Sequence, residues 1–462
     1  MDTSQKITHV LDRLGFGPRP GDYQRVARIG VEAYIQQQLN PSEGEEPAPL
    51  RRQLRQLSRL NKSPGALFSE FAPPQSPSRE QRAAARRRQN LVAQEAQTAR
   101  LVRAIESPNQ LQEVMVDFWF NHFNVFVNKG LTRLWLGSFE QLAIRPNALG
   151  KFRTLLRATA RHPAMLFYLD NWRNTDPESP QARGPFRGLN ENYARELLEL
   201  HTLGVDGGYS QADVESLTRV LTGWSIESHQ RRSEDGSGFV FVANRHDGRD
   251  KVLLGESIAG GGVEEGERAL DMLARHPATA RHVSFKLAQY FVADEPPAGL
   301  IERLSNRFRQ TDGDIRAVLS TLFSQADFWA DAHFQQKFKT PYQYVLSMPR
   351  AMGVSAPPES VLTRLVNGMN QLSMPLYRCQ QPDGYAQVAS AWLSPDAMLR
   401  RVSLAIRTVN HQRSVGSSEP DPGALLETVG GQLPRESQAI IRDSPAQMQA
   451  ALILGSPEMM YR

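Results

Sequence analysis

The chain has one cysteine, Cys379, in 462 residues. That excludes an intrachain disulfide framework and any multi-cysteine zinc site, and leaves a buried thiol as the ordinary reading. Long apolar runs are missing as well; none reaches the ~18 residues that would suggest a membrane-spanning helix. Nor is charge of one sign in surplus. A net charge of +5 is small for this length, so a sequence pI near 9.3 does not make nucleic acid an expected partner. The arginine run RAAARRR (Arg82–Arg88) is explained at least as well by a solvated helix face as by a phosphate patch. The N-terminal stretch MDTSQKITHVLDRLGFG has neither a basic leader region nor an apolar one. The chain as given therefore reads as a cytoplasmic globular protein, or as a periplasmic or secreted one whose leader has been removed. No GxSxG, HExxH, P-loop, dinucleotide or kinase signature occurs.

What the sequence does have is helical periodicity. Apolar positions repeat at three and four over Asp22–Leu39, Arg79–Ile105, Leu111–Asn128, Asn147–Arg161, Asn190–Leu203, Gln211–Leu221, Ile315–Phe323 and Ser394–Thr408. The proline-rich stretch APPQSPS (72–78) breaks the pattern, NTDPESPQARGPFRG (174–188) reads as a loop, and SQAD (Ser210–Asp213) reads as a capping box. The one strand signal, GFVFVANRHDGRDKVLLG (238–255), predicts a hairpin or a pair of short strands. Residues 414–462 read as a loop followed by a weakly patterned helical tail. The expected fold is mainly α, a multi-helix globular bundle with a small β-hairpin insertion.

Two segments stand out chemically. DFWFNHFNVFVN (Asp117–Asn128) is apolar almost all round, yet Asp117, Asn121, Asn124 and Asn128 fall at offsets of four, three and four. If buried, such a stripe must find partners or cost about 1–3 kcal/mol per group. It is either the solvent face of a deeply packed helix or the lining of an internal cleft. Amides where a surface would carry Lys and Glu favour the cleft, and His122 points in a second direction. In LNENYARELLELHTLGVDGGYS (Leu189–Ser210), Glu191, Arg195 and Glu199 share a face, with Asn192 and Glu196 beside them. Four-residue ion pairs explain part of that face. Asn190 can cap the helix, and His201 sits on its apolar side as a core histidine would. Carboxylates close together or in a dry site titrate high, toward the range of a general acid.

These motifs closely resemble the large bacterial family called domain of unknown function 1800. The likeness is carried by FWFNHF, NENYARELLELHTLGVDGGYSQADV and LTRVLTGW, and extends from RLGFG (Arg13–Gly17) through HDGRDKVLLG (His246–Gly255) to YRCQQPDGY (Tyr377–Tyr385). The resemblance implies a single family-length unit over 1–462. It also implies a sulfatase-like protein encoded beside many relatives, a possible partner. Relatives often carry histidine at the position of Phe120, so a two-histidine metal site is weakened here. Many carry Phe at the position of His201, which suits a structural role.

The leading expectation is a hydrolase acting on a glycan or related polymer through paired carboxylates in a polar cleft between the two helices. Glu191 or Glu196 would be the acid, Asp117 its partner, and His122 a further catalytic residue. Asn121, Asn190, Asn192, Arg195, Trp224, His246 and Lys251 would bind substrate, Trp224 as a stacking platform unless it is core, and His246 and Lys251 from a polar hairpin tip. No cofactor is expected. The first alternative is a non-enzymatic assembly or binding partner of the sulfatase-like protein, with the polar stripe fixing the core. The second is a metal-dependent enzyme in which His122, Asp117 and a glutamate hold one divalent ion.

Overall fold

A computed structural model of the chain describes residues 1–41, 46–414, 420–431 and 433–462. Helices dominate, as the periodicity requires. The long Arg79–Glu106 helix starts where the proline-rich break ends. Ser78 accepts the Gln81 amide hydrogen, and the Gln81 side chain returns the bond to the Ser78 amide, closing a reciprocal cap. Ser210 and Asp213 do the same for the Gln211–Val220 helix. The expected helix over 22–39 is instead two, Asp22–Ile29 and Val31–Leu39, because Gly30 adopts φ 88° between them, a conformation open to glycine.

Two corrections concern the elements that carry the polar motifs. The helix expected over 111–128 ends at His122, after which Phe123 leaves helical geometry. The helix that carries the glutamates is α-helical only over Asn192–Glu196 and continues as a wider π-helical turn over Leu197–Thr202. A second π-helical turn, Phe139–Ile144, lies after the Thr132–Ser138 helix. Such turns insert a residue into the hydrogen-bond ladder and often mark functional sites.

The β region also differs from a single hairpin over 238–255. Strand β1 (Trp224–Ile226) pairs antiparallel with β2 (Phe239–Phe241), and β3 (Lys251–Leu253) pairs antiparallel with β4 (Glu256–Ile258). The two predicted runs are both strands, but each takes a partner outside the 239–253 stretch. The tail is docked rather than loose. Arg462 exchanges backbone hydrogen bonds with Lys337, and its guanidinium donates to the Tyr290 carbonyl at 2.8 Å. One continuous apolar core runs through these elements, with Trp119, Trp135 and Trp224 fully enclosed. Among the described residues no helix is long and apolar enough to cross a membrane.

Candidate functional site

The polar stripe is an internal fastening. Asp117 is buried against Arg100, whose Nη2 lies 2.5 Å from the carboxylate, while Nη1 reaches Glu140 at 3.1 Å and Nε donates to the Tyr342 hydroxyl at 3.2 Å. Burial pushes the Asp117 carboxyl above its ordinary range and Arg100 opposes that push. The rings of Phe120, Tyr342 and Tyr377 surround the guanidinium at 4.9–5.3 Å, and Tyr377 donates its hydroxyl to Glu140 at 2.8 Å. Arg145, bound to Glu113 through two bonds of 2.7 and 2.9 Å, closes the network beside Glu140.

The amides next to it hold a loop. Asn121 donates to the Tyr385 carbonyl and accepts from the Tyr385 amide, both at 2.8 Å. Asn124, now beyond the helix end, donates to the carbonyls of Cys379 at 3.2 Å and Gln381 at 2.7 Å. Val127 donates its backbone amide to Tyr377, and Tyr168 its hydroxyl to Gln380 at 2.8 Å. Gly384 passes so close that a Cβ there would sit 2.3 Å from the Asn121 carbonyl oxygen, and its φ of +76° favours glycine. The motifs FWFNHFN and YRCQQPDGY are thus two halves of one joint. The cavity that Asp117, Asn121 and Asn124 share holds about 30 Å³, room for water but not for a substrate.

His122 serves the second joint. The turn over Leu197–Thr202 leaves its last carbonyls without partners within the helix, as helix ends do. His122 donates Nε2 to the His201 carbonyl at 3.1 Å, and His282 donates Nε2 to the Leu200 carbonyl at 3.2 Å. Burial, followed by the neighbouring histidines and Lys286, holds His122 well below the usual imidazole range. His122 is a neutral donor locked between Trp119, Phe118 and Phe123. Its role is structural here, and Asp117 is committed to Arg100. The donor set expected for a metal is therefore occupied by other bonds, and among the described residues no group of three His, Cys, Asp or Glu is arranged to hold one.

The joints bring the two polar helices together through His122 and His201, but they do not pair Asp117 with either expected acid. Glu191 stands at the N-terminal end of its helix, pairs with Arg195 at 2.9 Å, and accepts from Gln211 at 3.0 Å. Both partners of that ion pair are about 40% exposed, so it is a solvated i,i+4 pair. Asn190 accepts the Asn192 amide at 3.2 Å, and Asn192 donates to the Leu169 carbonyl at 3.2 Å. Both fix the entry to the helix.

Glu196 differs from all of these. It is half-buried, and its carboxyl is pushed up to about 6, first by burial, then by Glu199 and Asp383, with Arg195 opposing. Asp383 is exposed on the loop that Asn121 and Asn124 hold. Burial pushes the Lys286 amine down, and Asp383 opposes that shift. Glu199 accepts from Tyr209 at 3.0 Å. The titratable edge is thus Glu196, Asp383 and Lys286. Asp383 and Lys286 are absent from the sequence expectation, although the PDG turn in YRCQQPDGY was the available signal for the first.

Three expected binding residues lie elsewhere. Trp224 is fully buried, edge-on to Phe239 at 5.3 Å, with Gly266 so close that a Cβ there would overlap its ring. It is core, not a platform for sugar. His246 and Lys251 are not at an open hairpin tip. They bind the two oxygens of buried Glu265 at 2.9 and 2.6 Å. The backbone amides of Gly261 and Gly262 close over the same carboxylate at 2.7 and 3.2 Å, which gives the glycine-rich loop a structural task.

The family model described as "Protein of unknown function (DUF1800)" matches residues 9–461. No curated protein and no solved structure matches the chain. With a match over nearly its whole length, and with FWFNHFN and YRCQQPDGY joined in one structural unit, the chain belongs to the DUF1800 family.

Proposed function

We propose that the protein is a hydrolase acting on a glycan or related polymer, with its chemistry at the edge formed by Glu196 and Asp383. Glu196 is the general acid. A carboxyl that titrates near 6 keeps a large share of its proton in mildly acidic conditions and transfers it readily to a leaving oxygen. Asp383 is the second carboxylate, serving as base toward water or as nucleophile. Lys286, with its amine pushed down by burial, supplies a hydrogen-bond donor on the same side. Asn121 and Asn124 position Asp383 through the backbone of its loop. The observation that carries this reading is the raised, half-buried Glu196 beside a loop held by four side-chain amide bonds.

The test is release of reducing ends from a panel of polysaccharides. E196Q and D383N are expected to lose at least about 100-fold in rate, whereas E191Q, which changes only a solvated pair, stays near wild type. Full activity in both E196Q and D383N contradicts the proposal. The matched carboxylates of the interior around Asp117 favour a second reading, a non-enzymatic partner of a sulfatase-like protein. In that case no polysaccharide is cleaved and the two proteins co-elute as a complex.

A further inference from the structure

A groove of about 440 Å³ runs between the Arg79–Glu106 and Glu359–Gln371 helices. Three guanidinium groups line it, Arg86, Arg133 and Arg378. Arg133 is only 5% exposed. Its bonds go to neutral amides, to Asn90 Oδ1 at 2.8 Å and Asn128 Oδ1 at 3.3 Å. Burial, then the like charges of Arg86 and Arg378, hold it below the usual arginine range. Among the described residues the one carboxylate lining the groove is Glu359, which accepts from Gln94 at 3.0 Å. Three cations against one carboxylate leave the groove net positive, and an anion seated among the guanidinium groups relieves their mutual repulsion while gaining charge-assisted hydrogen bonds.

The rest of the lining says what kind of anion fits. Amides such as Asn90, Gln94 and Asn128 suit hydroxyl groups, and among the described residues no aromatic ring lines the groove for a base to stack on. We propose that this groove binds an acidic sugar chain, seating its sulfate or carboxylate groups on Arg133, Arg378 and Arg86. Arg378 belongs to the same Tyr377–Tyr385 segment as Asp383, so a chain held in the groove is tied to the loop that carries the proposed second carboxylate. The identity of the ligand as a glycan rests on the proposed function, but its binding is measured without hydrolysis. Asn128, the last member of the polar stripe, and Arg86, from the arginine run, find their use here.

The experiment is titration calorimetry of the full chain with four probes: oligogalacturonate, a dextran sulfate oligomer, neutral dextran and a single-stranded oligonucleotide. Binding of oligogalacturonate or dextran sulfate is expected, with the tighter of the two naming the anionic group, and neutral dextran is expected to give no heat. R378Q and R86Q, both exposed changes, should each weaken binding at least about tenfold, as loss of a charge-assisted contact implies. R275Q removes an exposed arginine paired with Asp312 and should bind as wild type. The inference is overturned if neither acidic oligosaccharide binds, if neutral dextran binds equally, if R275Q weakens binding as much as R378Q, or if the oligonucleotide binds more tightly. Cleavage lost with binding kept contradicts the proposed hydrolase alone, and binding lost in the wild type with cleavage kept contradicts the groove alone.

Discussion

The Asp117 network and the Glu196 edge are both rich in acids, yet they have opposite characters. Around Asp117 each carboxylate is matched: Asp117 and Glu140 by Arg100, Glu113 by Arg145, with Tyr377 donating as well. The amides beside it are spent on backbone groups of one loop. At the edge, Glu196 lies near two further carboxylates, half in water, and its proton is held more tightly than usual. Satisfied groups of low dielectric surroundings rigidify a structure, whereas a carboxyl displaced toward neutral titration is suited to move a proton. One region holds the frame, and the other is where we propose the chemistry.

The contrast is broken most severely by R100M. It leaves Asp117 and Glu140 buried without their cation, and the expected loss is about 3–5 kcal/mol of stability, read from the urea midpoint. Next comes G384A, which forces a side chain into a left-handed backbone and against Asn121. About 2–4 kcal/mol should be lost, with the loop rather than the core displaced. N121A should cost about 2 kcal/mol, since the Tyr385 amide and carbonyl lose their shared partner, and hydrolysis should fall with it if Asp383 is positioned as proposed.

The smallest effect has the opposite sign. Glu196 titrates near 6 in the folded chain, above the ordinary carboxylate value. The folded state therefore keeps a proton that the unfolded chain has released, and ionisation of Glu196 costs stability as pH rises through about 6. E196Q should be slightly more stable than wild type at pH 7–8. The difference should vanish below the unfolded value, and urea midpoints at pH 4 and pH 8 check it. Activity of the wild type should correspondingly fall as pH rises above about 6.

Much of the frame was legible in the sequence because core helices need apolar residues at three and four, and capping boxes announce their own starts. The end of the Gln110–His122 helix was not legible. Asn124 and Asn128 continue the spacing of Asp117 and Asn121 as though the helix ran on, but Asn124 turns instead to the carbonyls of a loop some 250 residues away. The β region differs for a related reason: each run pairs with a short strand that sequence alternation did not reveal, Phe239–Phe241 with the earlier Trp224–Ile226 and Lys251–Leu253 with the adjacent Glu256–Ile258. Trp224 and His246 looked available because burial depends on what packs over them, Gly266 and Glu265 respectively. Glu196 was legible from its acidic neighbours. Asp383 was marked only by its PDG turn, and nothing local links that turn to a helix far earlier in the chain.

The Asn121 and Asn124 amides hold the Tyr377–Tyr385 loop against the Gln110–His122 helix end. Hydrogen exchange of peptides covering 376–388, measured in wild type and N121A, tests that most directly. The expected result is slow exchange in wild type and much faster exchange in N121A, confined to this loop, with the Gln110–His122 helix still protected. Equal exchange in the two proteins would contradict the joint between the stripe and the loop, and with it the proposed positioning of Asp383.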